Sequence, residues 1–244
     1  MTRESGWDRD LKIRTPTREI DCYLLSPPEG SRRRPAVVVI HEIFGVDGHI
    51  REVARRIAEH GYVVAAPNLF TGEMQSILTP ANIGMAMPAF AQAPPDLRRD
   101  PAKLAAFAAT QPPERQPILE ALGKVSNPAV QAQFAEDLLA VTDYLRHLPD
   151  VDPGRIGSVG FCFGGAISAR LATVDPQLKA SVIFYGQNPP IADVPRIHAA
   201  VLGFLWSGRP RNHGDRSRAG CRDAGLRQVL RLQYLPRGAP RVLQ

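Results

Sequence analysis

The chain has 244 residues, of which 44% are hydrophobic and 22% charged, the composition of an ordinary globular domain. No segment approaches the roughly 18 consecutive apolar residues that a spanning helix needs, and residues 1–28 lack the apolar stretch of a signal peptide. We therefore expect a cytoplasmic protein with no membrane partner. Three widely spaced cysteines, Cys22, Cys162 and Cys221, argue against a disulfide framework and a zinc site, and we expect neither metal nor cofactor.

The net charge of +6 is concentrated at one end of the chain. Residues 205–244 contain nine Arg, no Lys and only two acidic residues, so residues 1–204 carry a net charge of −1. Surfaces that bind nucleic acid normally combine Lys with Arg on ordered elements. We therefore expect no nucleic-acid partner. A basic-tailed protein that associates with nucleic acid stays as an alternative, which salt-dependent binding by the isolated tail would reveal.

Segments with strand patterns alternate with segments with helix patterns. β-Branched and alternating runs predict strands within 10–26 (two, meeting near Pro16) and at 36–42, 62–68, 155–162, 179–186 and 199–205. Apolar spacing predicts helices at 47–60, 128–148 and 163–174, and the Pro- and Ala-rich stretch 71–127 predicts short helices and loops. Asp47 and Gly61 are the expected N-cap and stop of the first helix. The alternation predicts a doubly wound, mostly parallel sheet with ligand chemistry at the carboxyl ends of its strands.

The segment GFCFGG at 160–165 lies between a predicted strand and a predicted helix. A nucleophile elbow has the pattern Gly-x-nucleophile-x-Gly, because its sharp turn leaves no room for side chains at the flanking positions. Gly160 and Gly164 are the elbow glycines in this interpretation, Cys162 is the nucleophile, and the Phe163 N–H is one oxyanion donor. The adjacent helix N-terminus favours a thiolate. A buried structural cysteine before a phosphate-binding loop is the alternative, but no phosphate-loop glycine pattern is present.

The segment HEIFG at 41–45 ends the third predicted strand. In α/β-hydrolases, whose nucleophile elbow GFCFGG resembles, the corresponding loop donates the second oxyanion N–H and lies beside the nucleophile. The resemblance therefore implies the donor role for Ile43 and a position beside the nucleophile for Glu42. A solvated loop position is the alternative for Glu42. We interpret His41 as a packed residue at the strand end rather than a base.

Together, HEIFG, PNLF at 67–70, GFCFGG and IFYG at 183–186 resemble the dienelactone hydrolase family, relatives of lipases and esterases that use Cys in place of Ser. The resemblance runs in order from about residue 10 to about residue 204. It implies an α/β-hydrolase fold, hydrolysis of an ester or enol-lactone, and the nucleophile role for Cys162. It also implies that Glu42 holds the resting thiol until substrate displaces it. A basic residue that holds a substrate carboxylate is implied too, but Arg98, Arg99 and Arg115 cannot be told apart for this role.

The family pattern breaks after the strand at 199–205. The family places an acid after this strand, in a loop resembling Gly-x-x-Asp-Pro, and a histidine near the end, in a segment resembling Pro-Gly-Ala-x-His-x-Phe. The sequence has no Asp in that loop and no His after His213, so the Asp and His of the triad are not found. We therefore divide the chain into a hydrolase domain at 1–204 and an Arg-rich aberrant tail at 205–244. Within the tail only RQVLRLQYL at 227–235 is apolar enough for one short strand or helical turn.

The change in composition is what a GC-rich gene read out of frame would produce. If each codon starts at the second base of the present one, residues 207–225 can encode Arg-Ala-Asp-Pro-Glu-Ile-Thr-Ala-Ile-Ala-Ala-Val-Arg-Asp-Ala-Gly, and 235–244 can encode Tyr-Pro-Gly-Ala-Pro-His-Ala-Phe-Phe. Between them, the two shifted segments contain the Asp and the His that the family pattern requires. The middle base of each new codon is free in this test, whereas the first bases are nearly fixed and fit throughout. We interpret the tail as out of frame, with a divergent natural tail as the alternative.

The sequence thus predicts an α/β-hydrolase, with an incomplete or aberrant C-terminal portion, that acts on a small ester or lactone as a monomer or weak dimer. His198 begins a predicted strand and His213 lies in the tail, so neither is a good substitute for the missing base. We expect impaired activity from the chain as written. The alternative is a non-catalytic pseudo-hydrolase that binds acyl or carboxylate ligands through the same pocket.

Overall fold

The computed structural model describes residues 8–27, 33–94, 100–206 and 231–235, which contain eight strands and seven α-helices. The strands are β1 (Asp8–Arg14), β2 (Glu19–Leu25), β3 (Arg34–Ile40), β4 (Val63–Pro67), β5 (Val151–Phe161), β6 (Ala180–Phe184), β7 (Ala200–Trp206) and β8 (Arg231–Leu235). The helices are α1 (Gly48–Glu59), α2 (Glu73–Ile77), α3 (Pro80–Gln92), α4 (Pro101–Ala108), α5 (Gln116–Ser126), α6 (Pro128–His147) and α7 (Phe163–Val174), with a 3₁₀ helix at Ile191–Arg196.

The strands form one sheet in the order β1-β2-β4-β3-β5-β6-β7-β8. The β1–β2 and β2–β4 pairs are antiparallel, and all other neighbours are parallel. The prediction of a doubly wound, mostly parallel sheet is therefore confirmed. The predicted strand at 155–162 was too short at its start, because β5 begins at Val151, which pairs with Arg34 across an irregularity in the β3–β5 ladder.

Helix α1 lies on one face of the sheet, and α6 and α7 lie on the other. Asp47 caps α1 as predicted: its Oδ1 accepts a hydrogen bond from the Ile50 N–H at 2.9 Å. Gly61 follows the helix with a φ of 88°, a backbone conformation that favours glycine. Both ends of α1 are thus set by local sequence, which fixes the β3–α1–β4 crossover next to the site described below.

On the face that carries α1, three phenylalanines stack across neighbouring strands just before those strands end. Phe161 of β5 lies 5.0 Å from Phe184 of β6, which lies 4.6 Å from Phe204 of β7, and all three rings are nearly parallel. The residues are also direct cross-strand partners. This aromatic ladder ties the carboxyl ends of β5 and β6 together.

Strand β8 lies within the region interpreted as the tail. It pairs in parallel with β7, with Leu202 opposite Arg231 and Trp206 opposite Leu235. The segment 227–235 therefore contains one short strand, the most that its pattern predicted. The division at 204/205 stays a prediction, because residues 207–230 and 236–244 fall outside the described residues. None of the described helices is both long and apolar enough to cross a membrane.

Candidate active site

Cys162 occupies the turn between β5 and α7. Its φ of 53° and ψ of −112° place it in a backbone conformation that is strained for a residue with a side chain. Its N–H donates to the Phe184 carbonyl at 2.9 Å, which anchors the turn to the end of β6. The cysteine is exposed and lies at the N-cap of α7, so the helix dipole acts on its side chain. The turn therefore presents a thiol above the sheet.

The two elbow glycines are required by close backbone contacts. A Cβ on Gly160 would lie 2.0 Å from the Gly164 carbonyl oxygen, and one on Gly164 would lie 2.3 Å and 2.4 Å from the carbonyl oxygens of Ile40 and His41. Backbone atoms of buried elements cannot move by the ångström needed to relieve such contacts. These contacts give the steric reason for the Gly-x-Cys-x-Gly spacing. They also hold the elbow directly against the end of β3.

Glu42 follows His41 at this strand end and begins a tight turn. The Gly45 N–H donates to the Glu42 carbonyl at 3.3 Å, and Gly45 has a φ of 75°. The Glu42 side chain is partly exposed, and its Oε1 accepts a hydrogen bond from the Tyr185 hydroxyl at 3.1 Å. The structure thus places the carboxylate of Glu42 at the same edge of the sheet as Cys162.

Ile43 and Phe163 are the predicted oxyanion donors, and this role stays a prediction. Ile43 is in the turn after β3, and Phe163 is the first residue of α7. Neither N–H donates to a backbone carbonyl in the described part of the chain. N–H groups without a backbone partner are available to donate to the oxyanion that forms in acyl transfer.

His41 is a packed histidine. It is fully buried, its Nε2 accepts a hydrogen bond from the Leu69 N–H at 3.0 Å, and its Nδ1 contacts the Glu42 carbonyl. Burial lowers its pKa from 6.5 to about 4. The ring is therefore neutral with both nitrogens occupied, and it packs against Phe70 and Phe163. It cannot serve as the base, as its position in the sequence indicated.

The other described histidines are exposed. His198 precedes β7 and so lies at the amino edge of the sheet, opposite Cys162. His60 and His147 lie at the C-terminal ends of α1 and α6, which run to that same edge. His49, in the first turn of α1, lies at the carboxyl edge, and its sequence position did not predict a role at the site. His213 falls outside the described residues.

Tyr185 is the site residue that sequence reasoning missed. It directly follows β6, has a φ of 45°, and its N–H donates to the Phe204 carbonyl at 2.7 Å. The segment IFYG contributed to the family resemblance, but no role was predicted for its tyrosine. The sequence did carry one signal for Tyr185. It is a hydroxyl-bearing residue, followed by glycine, at the carboxyl end of a predicted strand.

Arg98, Arg99 and Arg115 are the candidates that the family resemblance left for binding a substrate carboxylate. Arg98 and Arg99 fall outside the described residues, and Arg115 precedes α5 with a buried Nε that has no hydrogen-bond partner in the described part. No three His, Cys, Asp or Glu side chains converge there as metal ligands would. A surface groove of about 390 Å³ runs along β1 and β2 and includes neither Cys162 nor Glu42.

The fold and this elbow define an α/β-hydrolase. The dienelactone hydrolase family profile matches residues 20–208, and the chain belongs to that family. A carboxymethylenebutenolidase-like protein of Saccharolobus solfataricus is 31% identical over 85% of this chain and 75% of its own length. A second, from Synechocystis sp., is 32% identical over 74% of this chain and 64% of its own length, so the chain spans less than two thirds of that relative.

Solved structures agree with this assignment. The crystal structure of a dienelactone hydrolase homologue from Klebsiella pneumoniae matches with a TM-score of 0.63 at 25% identity, over 94% of this chain and 85% of that one. The dienelactone hydrolase from Anabaena variabilis matches with a TM-score of 0.55 at 18% identity, over 94% of this chain and 86% of that one, and supports the fold alone. The family is one of ester and lactone hydrolases.

Proposed function

We propose that the chain hydrolyses a small ester or enol-lactone through Cys162, and that this activity is impaired in the chain as written. The observation that carries the proposal is the strained Cys162 at the N-terminus of α7, with Gly160 and Gly164 clearing the space around the turn. The similarity to carboxymethylenebutenolidase-like proteins makes carboxymethylene-substituted butenolides the first lactones to test. We propose a cytoplasmic monomer or weak dimer without nucleic-acid or membrane partners.

The proposed reaction begins when the Cys162 thiolate attacks the carbonyl carbon and forms a carbon–sulfur bond. The Ile43 and Phe163 N–H groups then donate to the resulting oxyanion. Collapse of this intermediate breaks the ester bond, and the departing oxygen takes up a proton. Water hydrolyses the thioester and regenerates the thiol. In the resting state the negative charge of Glu42 opposes the helix dipole and keeps the thiol protonated until substrate enters.

The departing oxygen must receive a proton, and the attacking water must lose one. A histidine that an acid orients normally performs both transfers. His41 cannot take this role, because it is buried and bonded at both ring nitrogens. Loss of a complete triad lowers kcat on the order of a millionfold elsewhere. We therefore propose that the codons after Trp206 are read out of frame, and that the in-frame gene supplies the acid and the histidine. Sequencing the gene around the codons for Leu205 and Trp206 tests this directly.

The second candidate is a pseudo-hydrolase that binds acyl or carboxylate ligands without turnover. The neutral, bonded state of His41 favours it, because an elbow without a base still offers two N–H donors to a ligand oxygen. A pseudo-hydrolase would bind carboxylates, and neither the present chain nor the frame-restored chain would hydrolyse an ester.

Steady-state hydrolysis of a p-nitrophenyl ester separates the two candidates. We expect little turnover by the present chain and at least a thousandfold more by the frame-restored chain, a conservative fraction of the triad's usual contribution. Cys162→Ser in the restored chain should abolish the gain and serves as the matched control. Equal, negligible rates for the present and restored chains would favour the pseudo-hydrolase.

A further inference from the structure

We infer that Tyr185 is a positioning residue that holds the carboxylate of Glu42 over Cys162. This inference rests on the proposed function, because it concerns the same nucleophile. The Tyr185 hydroxyl donates to Glu42 Oε1 at 3.1 Å, although the two residues are 143 positions apart in the chain. Such a contact depends on the fold rather than on local sequence.

The strand order shows where this hydrogen bond lies. Glu42 follows β3 and Tyr185 follows β6, and β5 lies between these two strands in the sheet. Neighbouring strands are about 4.8 Å apart, so the bridge spans roughly 10 Å across the end of β5. Cys162 is the residue at that end. The Tyr185–Glu42 bridge therefore straddles the nucleophile.

The backbone of Tyr185 is fixed well enough to aim its side chain. Its φ of 45° is unfavourable for a residue with a Cβ. Its N–H is bonded to the Phe204 carbonyl, and a Cβ on Gly186 would lie 2.4 Å from the Gly165 carbonyl carbon. The segment after β6 thus packs against the first turn of α7, and this contact holds it next to the elbow.

The carboxylate needs such a partner because it is partly exposed. An unrestrained glutamate at a turn gains side-chain entropy and hydration by pointing into water. The Tyr185 O–H instead retains the negative charge near the thiol. Among the described residues, the other titratable side chains near this edge of the sheet include the neutral His41, Asp47, whose Oδ1 caps α1, and His49 at the start of that helix. The 3₁₀ helix that contacts α7 adds Asp193 and Arg196, which form an ion pair with each other.

The rate of Cys162 alkylation by iodoacetamide, followed against pH by peptide mapping, tests the inference without requiring turnover. Glu42→Gln removes a like charge and should lower the apparent thiol pKa on the order of 0.5–1 unit. Tyr185→Phe should lower it by at least half as much, and the double variant should match Glu42→Gln alone. Tyr62→Phe, which removes a hydroxyl at the amino end of β4, is the matched control and should leave the profile unchanged.

The outcomes separate this inference from the proposed function. If Glu42→Gln shifts the profile and Tyr185→Phe does not, the inference is overturned and the proposed function stands. If Glu42→Gln itself has no effect, the pairing of Glu42 with Cys162 fails, and the inference fails with it. Should Tyr185→Phe unfold the chain, Glu42→Asp shortens the acid by one methylene and breaks the same hydrogen bond from the other side. It should then lower the pKa as predicted for Tyr185→Phe, and an unchanged profile would overturn the inference.

Discussion

Gly164→Ala should disrupt both the stability of the fold and the elbow. The added methyl group would lie 2.3 Å from the Ile40 carbonyl oxygen and 2.4 Å from that of His41, whereas real Cβ contacts essentially never fall below 3.0 Å. Relief requires either the end of β3 or the first turn of α7 to move by about 1 Å. Overpacking of a core ordinarily costs about 1–3 kcal/mol, and contacts with backbone rather than flexible side chains belong at or above the upper end. We therefore expect Gly164→Ala to lower the free energy of unfolding by about 3 kcal/mol.

Urea denaturation followed by circular dichroism measures this loss as a lower midpoint at an unchanged slope. Gly84→Ala is the matched control, because a Cβ there meets nothing within 4 Å in an exposed position of α3. Replacing glycine by alanine inside a helix should stabilise the chain by up to about 1 kcal/mol. If Gly164→Ala unfolds at the wild-type midpoint and alkylates at the wild-type rate, the steric account of the elbow is wrong.

Two further predictions concern buried polar groups. Because burial lowers the pKa of His41 to about 4, the unfolded chain takes up its proton near pH 6.5 and the folded chain does not. Its contribution to stability is therefore present above about pH 6.5 and is lost as pH falls toward 4, by at most about 3 kcal/mol. In urea titrations, His41→Gln should lack this part of the pH dependence, and an unchanged dependence would contradict the assignment. Arg18→Met should cost about 3–5 kcal/mol, because it leaves the fully buried Asp137 without its 2.6 Å ion-pair partner. Lys12→Met, which breaks an exposed pair, should change the unfolding midpoint little, and equal effects of the two variants would refute the argument.

The sequence predicted those parts of the site that depend on local geometry. Gly160 and Gly164 could be recognised because a strand-to-helix turn excludes side chains at fixed distances from the nucleophile. Asp47 and Gly61 could be recognised for the same kind of reason, since capping is decided within one turn of helix. Glu42 could be assigned to the right edge of the sheet because all parallel strands end there.

The missed features depend on contacts between distant segments. The role of Tyr185 requires β6 to lie on the other side of β5 from β3, which no local pattern reveals. The early start of β5 requires Arg34 as a pairing partner, because Pro153 and Gly154 do not favour a strand by themselves. His49 was overlooked because its position in the first turn of α1 matters only once the edge of the sheet is known.

The central claim is that Cys162 is a nucleophile whose base is missing from the chain as written. Exposure to p-nitrophenyl acetate, followed by intact mass spectrometry and peptide mapping, tests it most directly. We predict that one acetyl group accumulates on Cys162 and persists as a thioester, with no more than one equivalent of p-nitrophenol released. Sustained multiple turnover that Cys162→Ser abolishes would contradict the claim, and its loss in His49→Gln would identify the base. Acetylation of other residues with Cys162 unmodified would contradict the nucleophile assignment itself.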